Sequence, residues 1–303
     1  MRPRHLLLAL LTVAIWGINF AIIELGLRQV SPLALCTARF FLAAFPFVFF
    51  IRRPDVPWRL LVAYGLTIFA MQFSFLFTGM KVGMSPGLAS LILQLQVFFT
   101  IALSVLFLGE RPNSWQLAGA LLAFCGVGYV ALHVGGEVTV AGLALLIAAA
   151  ASWGTGNVVA KRISQVNASF NVLALVVWGS LVALPPLFAV SLILEGDRFV
   201  ASFTGLDWVS VGAIAYIVYL STLLGYGGWS RLLGFYPVSA VAPFGLLVPV
   251  FGFLGSAVLL GEPLQGWKLI ASGLVIAGLC INLFGPRLFR RPSPPVGPPP
   301  SQG

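Results

Sequence analysis

Ten stretches of this chain are each apolar for about the twenty residues a helix needs to cross a hydrocarbon core. They fall near 5–27, 32–51, 60–80, 86–108, 114–132, 139–160, 171–194, 208–228, 239–260 and 266–285. In lipid an isolated segment satisfies its backbone hydrogen bonds only within itself, so each stretch reads as a helix. The expected fold class is an all-α integral membrane protein with ten transmembrane helices. Short joints carrying chain breakers separate them: "RRPDVPW", "GMSPG", "GERPNS", "HVGGE", "EGDRFVASFTGLD" and "GEPLQG". With 59% hydrophobic and 8% charged residues in 303, nothing is left over for a soluble domain.

The net charge of +9 raises the question of nucleic acid, but the basic residues are scattered between apolar runs rather than gathered on a patch. They read instead as topology signals. With the N-terminus inside, the inner joints collect Arg2, Arg4, Arg52, Arg53, Arg59, Arg111, Lys161, Arg162, Arg231, Arg287, Arg290 and Arg291. The outer side has Arg28, Lys81, Arg198 and Lys268. Both termini are therefore expected in the cytoplasm, which agrees with an even number of crossings. The opening "MRPRHLLLALLTVAIWGINFAII" imitates a secretory signal, but its apolar run is too long and a small-x-small cleavage site is missing, so it reads as a retained first helix. The tail 286–303 is Pro-rich and reads as disordered. Cys36, Cys125 and Cys280 lie inside apolar runs and read as small buried residues.

A phrase occurs twice. "LGERPNSW" at Leu108 to Trp115 answers "LGEPLQGW" at Leu260 to Trp267, and matching Glu110 to Glu262 also matches Ser104 to Ser256, Leu117 to Leu269, Leu122 to Leu274 and Gly126 to Gly278. A looser match joins "WGINF" at Trp16 to "WGTGN" at Trp153. The repeat unit is five helices, an odd number, so the second copy enters the membrane the other way round. This divides the chain into halves 1–137 and 138–285. Inverted repeats of this kind mark secondary transporters, in which a midplane site faces each side in turn. Within each joint, Glu110 and Glu262 are expected to accept hydrogen bonds from the start of the following helix.

The stretches "WGINFAIIELGL", "PLALCTARFFLAAFPFVFF", "GLASLILQLQVFFTIALSVLFLGERP" and "VAPFGLLVPVFGFLGSAVLLGE" resemble the EamA family of the drug/metabolite transporter superfamily over nearly the whole chain. The resemblance implies two inverted five-helix repeats around a central cavity. Through "YGLTI", "MSPGLASLILQLQVFFTI", "QLAG" and "LLVPV" the chain is similar to members that export O-acetylserine and cysteine across the bacterial inner membrane; a broader metabolite or drug exporter is the alternative. Family members often carry a basic residue where this chain has Glu24.

Polar residues at membrane depth are costly without a use. Trp16 and Asn19 share a face of the first helix, and Trp153 and Asn157 share one of its counterpart; each pair offers an amide and an indole suited to a small polar solute. Helix-to-helix hydrogen bonding by the asparagines is the competing reading. Gln94 and Gln96 point about 200° apart on an α-helix, so one of them is structural, and Gln94 is favoured toward the cavity. Gln72 is a third amide candidate. Arg39, the only basic residue deep in a helix, pairs with a substrate carboxylate, with Glu24, or serves an interface. Tyr219 and Tyr226, seven apart, read as cavity aromatics on one face, with a membrane-interface role open for Tyr226. Pro243 and Pro249 mark a hinge in the ninth helix, and Pro185 with Pro186 an analogous bend in the seventh. Glu24 is the only acid inside a segment. Either it carries a coupling proton or the chain is a facilitator.

Catalysis finds no support: His5 and His133 lie at segment ends, and no Ser/His/Asp set, metal-ligand set or P-loop is present. The reading is thus of a protein that is not an enzyme, with no cofactor, metal, nucleic acid or obligate protein partner. Its expected partners are a small-molecule substrate, the lipid bilayer and protons.

Overall fold

A computed structural model describes residues 1–135, 138–167 and 170–288. From residue 289 onward the expected disordered tail, with Arg290 and Arg291, lies outside the described residues, as does the boundary residue Glu137. Among the described residues ten helices are long and apolar enough to cross a membrane: α1 (Pro3–Leu27), α2 (Pro32–Phe49), α3 (Trp58–Lys81), α4 (Pro86–Leu108), α5 (Ser114–Ala131), α6 (Val140–Val166), α7 (Val172–Leu194), α8 (Trp208–Phe235), α9 (Ala242–Leu260) and α10 (Gly266–Leu288). No β-strand occurs among the described residues. The chain is a multi-pass membrane protein.

Local chemistry sets the helix ends. Proline occupies the first turn of α1, α2 and α4, where its missing N–H leaves nothing unpaired. Gly109 and Gly261 close α4 and α9 in the left-handed conformation, at φ 67° and 68°, so the duplicated phrase folds into the same joint twice. Asn113 and Gln116 form a capping box on α5. The start of α2 is capped from another helix: Glu195, at the end of α7, accepts the N–H groups of Leu33 (2.8 Å) and Ala34 (3.0 Å) and the Ser31 hydroxyl (2.6 Å).

The expectation for Glu110 and Glu262 is corrected here. Neither caps the helix that follows. Glu110 pairs with Lys161 of α6, while Glu262 pairs with Lys268 (2.9 Å) and accepts from the N–H of Gly87 (3.4 Å). The donors at the α5 start already have Asn113, and an ammonium within reach is a stronger partner for a carboxylate than a neutral amide.

Four central helices depart from α geometry. π-helical turns occupy Gly65–Met71 in α3 and Tyr216–Leu224 in α8, and 3₁₀ turns occupy Leu93–Leu95 in α4 and Ala242–Leu247 in α9. Pro243 opens the 3₁₀ segment of α9 and Pro249 sits in the first turn of the α-helical part. By contrast α7 stays helical through Pro185 and Pro186, so no break accompanies them. α-Helical geometry in α2 stops at Ala44, short of the expected 51, because Pro46 cannot donate into the ladder.

The pairs α5 with α10 and α2 with α7 flank a central group of α1, α3, α4, α6, α8 and α9. Close packing in the centre uses glycine where two backbones meet. A Cβ on Gly17 of α1 would run into Phe251 and the Val248 carbonyl of α9; a Cβ on Gly154 of α6 would run into Phe99 and Thr100 of α4. Cys36 is buried and Cys280 half-buried, but Cys125 is exposed on the outer surface of α5, against expectation; all three are free thiols.

Candidate functional site

The two interrupted helices α3 and α8 meet α1 and α2 at a buried aromatic and polar cluster. A π-turn inserts a residue and re-aims the side chains after it, a device frequent at functional sites. Trp16 of α1 donates its indole N–H to the Ser221 carbonyl inside the α8 π-segment (3.0 Å). Its ring lies 5.7 Å from Tyr226 and 5.2 Å from Trp229. Tyr226 faces Phe69 of the α3 π-segment at 6.3 Å, and Phe69 faces Phe40 at 5.1 Å.

Arg39 completes this wall from α2. It is 2% exposed, donates from Nε to the Thr222 hydroxyl (3.0 Å), and holds its Cζ 3.9 Å from the Phe73 ring centroid and 5.4 Å from that of Phe40. Thr222 in turn donates to the Ile217 carbonyl (2.8 Å). The ion pair considered for Arg39 and Glu24 is not formed; Thr222 takes that place, which is a correction. Arg39 Nη1 is buried without a hydrogen-bond partner, as are Asn19 Oδ1 on α1 and Gln72 Oε1 on α3.

A second polar group joins α4 and α6. Asn157 donates to Gln96 Oε1 (2.6 Å) and to Thr100 Oγ1 (3.1 Å), while Gln94 donates to the Gly245 carbonyl in the 3₁₀ segment of α9 (3.4 Å). Gln94 and Gln96 thus both bridge between helices, and it is Gln96 that meets a named candidate. The 3₁₀ turn Leu93–Leu95 contains Gln94, so the separation of about 200° expected on an α-helix does not hold between the two glutamines. Trp153 is half-buried against the core near this group.

Tyr219 and Tyr226 do not share a face. Tyr219 is 43% exposed while Tyr226 points inward, because the π-turn between them gives more residues per turn than the α-helix assumed for a seven-residue spacing. Thr222, Thr100 and Phe73 also take part, and nothing in the sequence singles them out, since a hydroxyl or ring within an apolar run carries no sign of which neighbour it will meet. No group of three His, Cys, Asp or Glu able to hold a metal exists among the described residues.

The two ends of the central group differ. At the Glu262 end, links run across it from α1 and the end of α9 to α3 and α4: Lys81 donates to the Leu27 carbonyl (2.5 Å), and Glu262 accepts from Gly87. Glu24 lies there too, with Lys81, Arg28 and Glu262 as the charges that act on it. At the Glu110 end, the Lys161–Glu110 pair and the bond from Arg162 to the Phe107 carbonyl (2.9 Å) both stay between α4 and α6.

Ten membrane helices, a centre of interrupted helices lined with aromatic and amide groups, and one end bridged more than the other define a polytopic membrane transporter. Comparison with known proteins gives the family: the model of the EamA-like transporter family matches residues 4–132 and 140–284, and the chain belongs to it. A probable amino-acid metabolite efflux pump of Salmonella typhimurium is 46% identical over 287 residues, covering 93% of this chain and 96% of its own. One of the same description from Escherichia coli K12 is 44% identical, covering 92% and 95%. A probable terminal-alkyne amino-acid exporter of Streptantibioticus cattleyicolor is 27% identical, covering 89% and 90%. A solved crystal structure aligns with a TM-score of 0.66 over 96% of this chain and 99% of that one; at 18% identity it shows the fold alone.

Proposed function

We propose that this chain is a secondary transporter of the bacterial inner membrane that exports small amino-acid metabolites, cysteine and O-acetylserine among them, by alternating access between two inverted five-helix halves, 1–137 and 138–285, with both termini in the cytoplasm. The observation that carries this reading is reciprocal packing. Gly17 and Gly154 each follow a matched tryptophan, Phe251 and Phe99 each precede a matched glutamate by eleven residues, and Gly17 meets Phe251 just as Gly154 meets Phe99. Each half therefore lays its first helix on the fourth helix of the other, the arrangement that two halves exchanging roles require.

The substrate path in this reading is lined by Trp16, Asn19, Arg39, Gln72 and Tyr226 on one side and by Gln94, Trp153 and Asn157 on the other. Pro243 and Pro249 supply the hinge of α9, and Glu24 carries the coupling proton. The relatives with a described activity are efflux pumps and exporters, which supports transport rather than catalysis.

The test is efflux from bacteria overproducing the protein, with extracellular cysteine, O-acetylserine and a panel of other amino acids quantified beside an Asn19→Ala variant at equal expression. A selective rise of the two sulfur metabolites, lost in the variant, is expected. A rise in other solutes alone returns the broader exporter, and no rise in any solute overturns the proposal.

A further inference from the structure

Among the described residues Arg39 has no protein anion as a partner. The two ion pairs among the described residues are Lys161–Glu110 and Lys268–Glu262, and Arg39 takes part in neither. Its guanidinium meets a threonine hydroxyl on Nε and the faces of Phe73 and Phe40, with the neutral side chains of Tyr226 and Cys36 close enough to act on it. A buried cation without a counter-ion is costly, and more so in a membrane. The fork of Arg39 is nonetheless held in place: Phe73 stacks on one side and Thr222, itself fixed to the Ile217 carbonyl, fixes the Nε edge. That leaves Nη1 buried, oriented and without a partner.

A planar guanidinium presented in this way matches a carboxylate, which accepts two parallel N–H bonds from it. We infer that Arg39 is the receptor for the α-carboxylate of the transported metabolite, so that the site selects acids over their esters, amides and decarboxylated amines. The inference rests on the reading of the chain as an exporter of amino-acid metabolites and adds the group that recognises them. The aromatic wall of Trp16, Tyr226 and Phe69 then receives the uncharged remainder of the solute. The four-residue path from Arg39 through Thr222 and Ser221 to Trp16 ties the carboxylate receptor to α1, the helix that packs on α9.

The experiment uses the full-length protein in detergent and in proteoliposomes. Ligand-induced thermal stabilisation is measured with the twenty proteinogenic amino acids and O-acetylserine, each beside its methyl ester, and with cysteamine as the decarboxylated partner of cysteine. For the best binder, competition in counterflow is then measured on wild type, Arg39→Lys and Arg39→Gln. Wild type is expected to prefer the acid over its ester by roughly 10- to 100-fold, the size of a lost charged hydrogen-bond pair. In Arg39→Gln that ratio falls to about one while ester binding persists, and Arg39→Lys keeps part of it. Persistence of ester binding shows that the glutamine variant is folded. An equal response of wild type to acid and ester, or an unchanged ratio in Arg39→Gln, overturns the inference. Discrimination seen with another amino acid but not with cysteine or O-acetylserine upholds Arg39 as the receptor and overturns the sulfur-metabolite reading instead.

Discussion

Gly119 of α5 and Gly278 of α10 meet backbone to backbone: a Cβ on either would run into the carbonyl oxygen of the other. The matched contact is present on the same pair of helices, where Gly126 faces the Ala271 carbonyl. Gly119 and Ala271 each stand nine residues past their glutamate, and Gly126 and Gly278 sixteen. The two helices thus cross twice through equivalent residues with their roles exchanged. Small residues at such crossings let membrane helices approach closely enough for dispersion to hold them.

Gly119→Val and Gly278→Val should each lower the melting temperature of the detergent-solubilised protein, by an overpacking penalty of about 1–3 kcal/mol. Gly128 has open space where a Cβ would lie, so Gly128→Ala should leave the midpoint near that of wild type. Thermal unfolding followed by size-exclusion fluorescence distinguishes the sites. Equal midpoints for Gly119→Val and Gly128→Ala would contradict the close crossing.

The counter-ions of the two repeated glutamates come from different helices. Glu110 takes Lys161, eight residues past Trp153, but the corresponding residue eight past Trp16 is Glu24. Glu262 is served instead by Lys268, and this second pair is buried, with side-chain exposures of 0% and 8% against 44% and 45% for the first. Breaking a buried pair strands a charge and costs about 3–5 kcal/mol, whereas an exposed pair is worth about 0–1 kcal/mol. Lys268→Gln should therefore destabilise strongly and Lys161→Gln weakly. Adding Glu24→Lys to Lys268→Gln restores a cation at the position Lys161 holds in the other half and should recover part of the loss. A double-mutant cycle on melting temperature measures this; strictly additive effects would show that residue 24 does not reach Glu262.

Much of this architecture is legible from the residues. Ten spans follow from hydropathy and length, and the twin joints from one repeated phrase, because apolar burial and turn chemistry are local. Side-chain partnerships were less accessible. Glu195 falls in the joint "EGDRFVASFTGLD" yet caps α2 from the end of α7, and Tyr219 reads as a cavity residue but is turned outward by a π-turn. Helical wheels assume one residue spacing, and the four central helices that depart from it carry Gln94, Gln96, Tyr219, Tyr226 and Pro243. The candidate site is least legible in the sequence where the helices are interrupted, since interruption there is what shapes the site.

Asp207 caps the start of α8 outside the membrane span, and the Ser210 N–H that it accepts (2.7 Å) holds its carboxyl below the usual carboxylate range. A depressed folded-state value means that the ionised form supports the folded helix. This contribution is present above the unfolded-state value near 4 and is lost as pH falls through the lower folded-state value. Amide exchange at Ser210 and Val211 should therefore show protection falling below about pH 4 more steeply in wild type than in Asp207→Asn, after correction for intrinsic rates. Parallel profiles would mean that the cap does not titrate with this residue.

Tyr219 and Tyr226 provide the sharpest test of the π-turn. Were α8 regular, both rings would line the same face and both truncations would impair transport alike. With the turn in place, Tyr226→Ala removes ring contacts to Trp16 and Phe69, whereas Tyr219→Ala removes a ring at the outer surface. Two aromatic contacts at about 0.5–1.5 kcal/mol each predict a transport loss of roughly 10-fold or more for Tyr226→Ala, and a change within about twofold for Tyr219→Ala. Counterflow in proteoliposomes at matched reconstitution reads both. Deleting one residue of the π-segment, for example Val218, should reset the register, turn the 219 ring inward and disturb the Trp16 bond to the Ser221 carbonyl. If the two truncations have equal effect, α8 presents both rings to the path and the π-turn does not set its register in the working transporter.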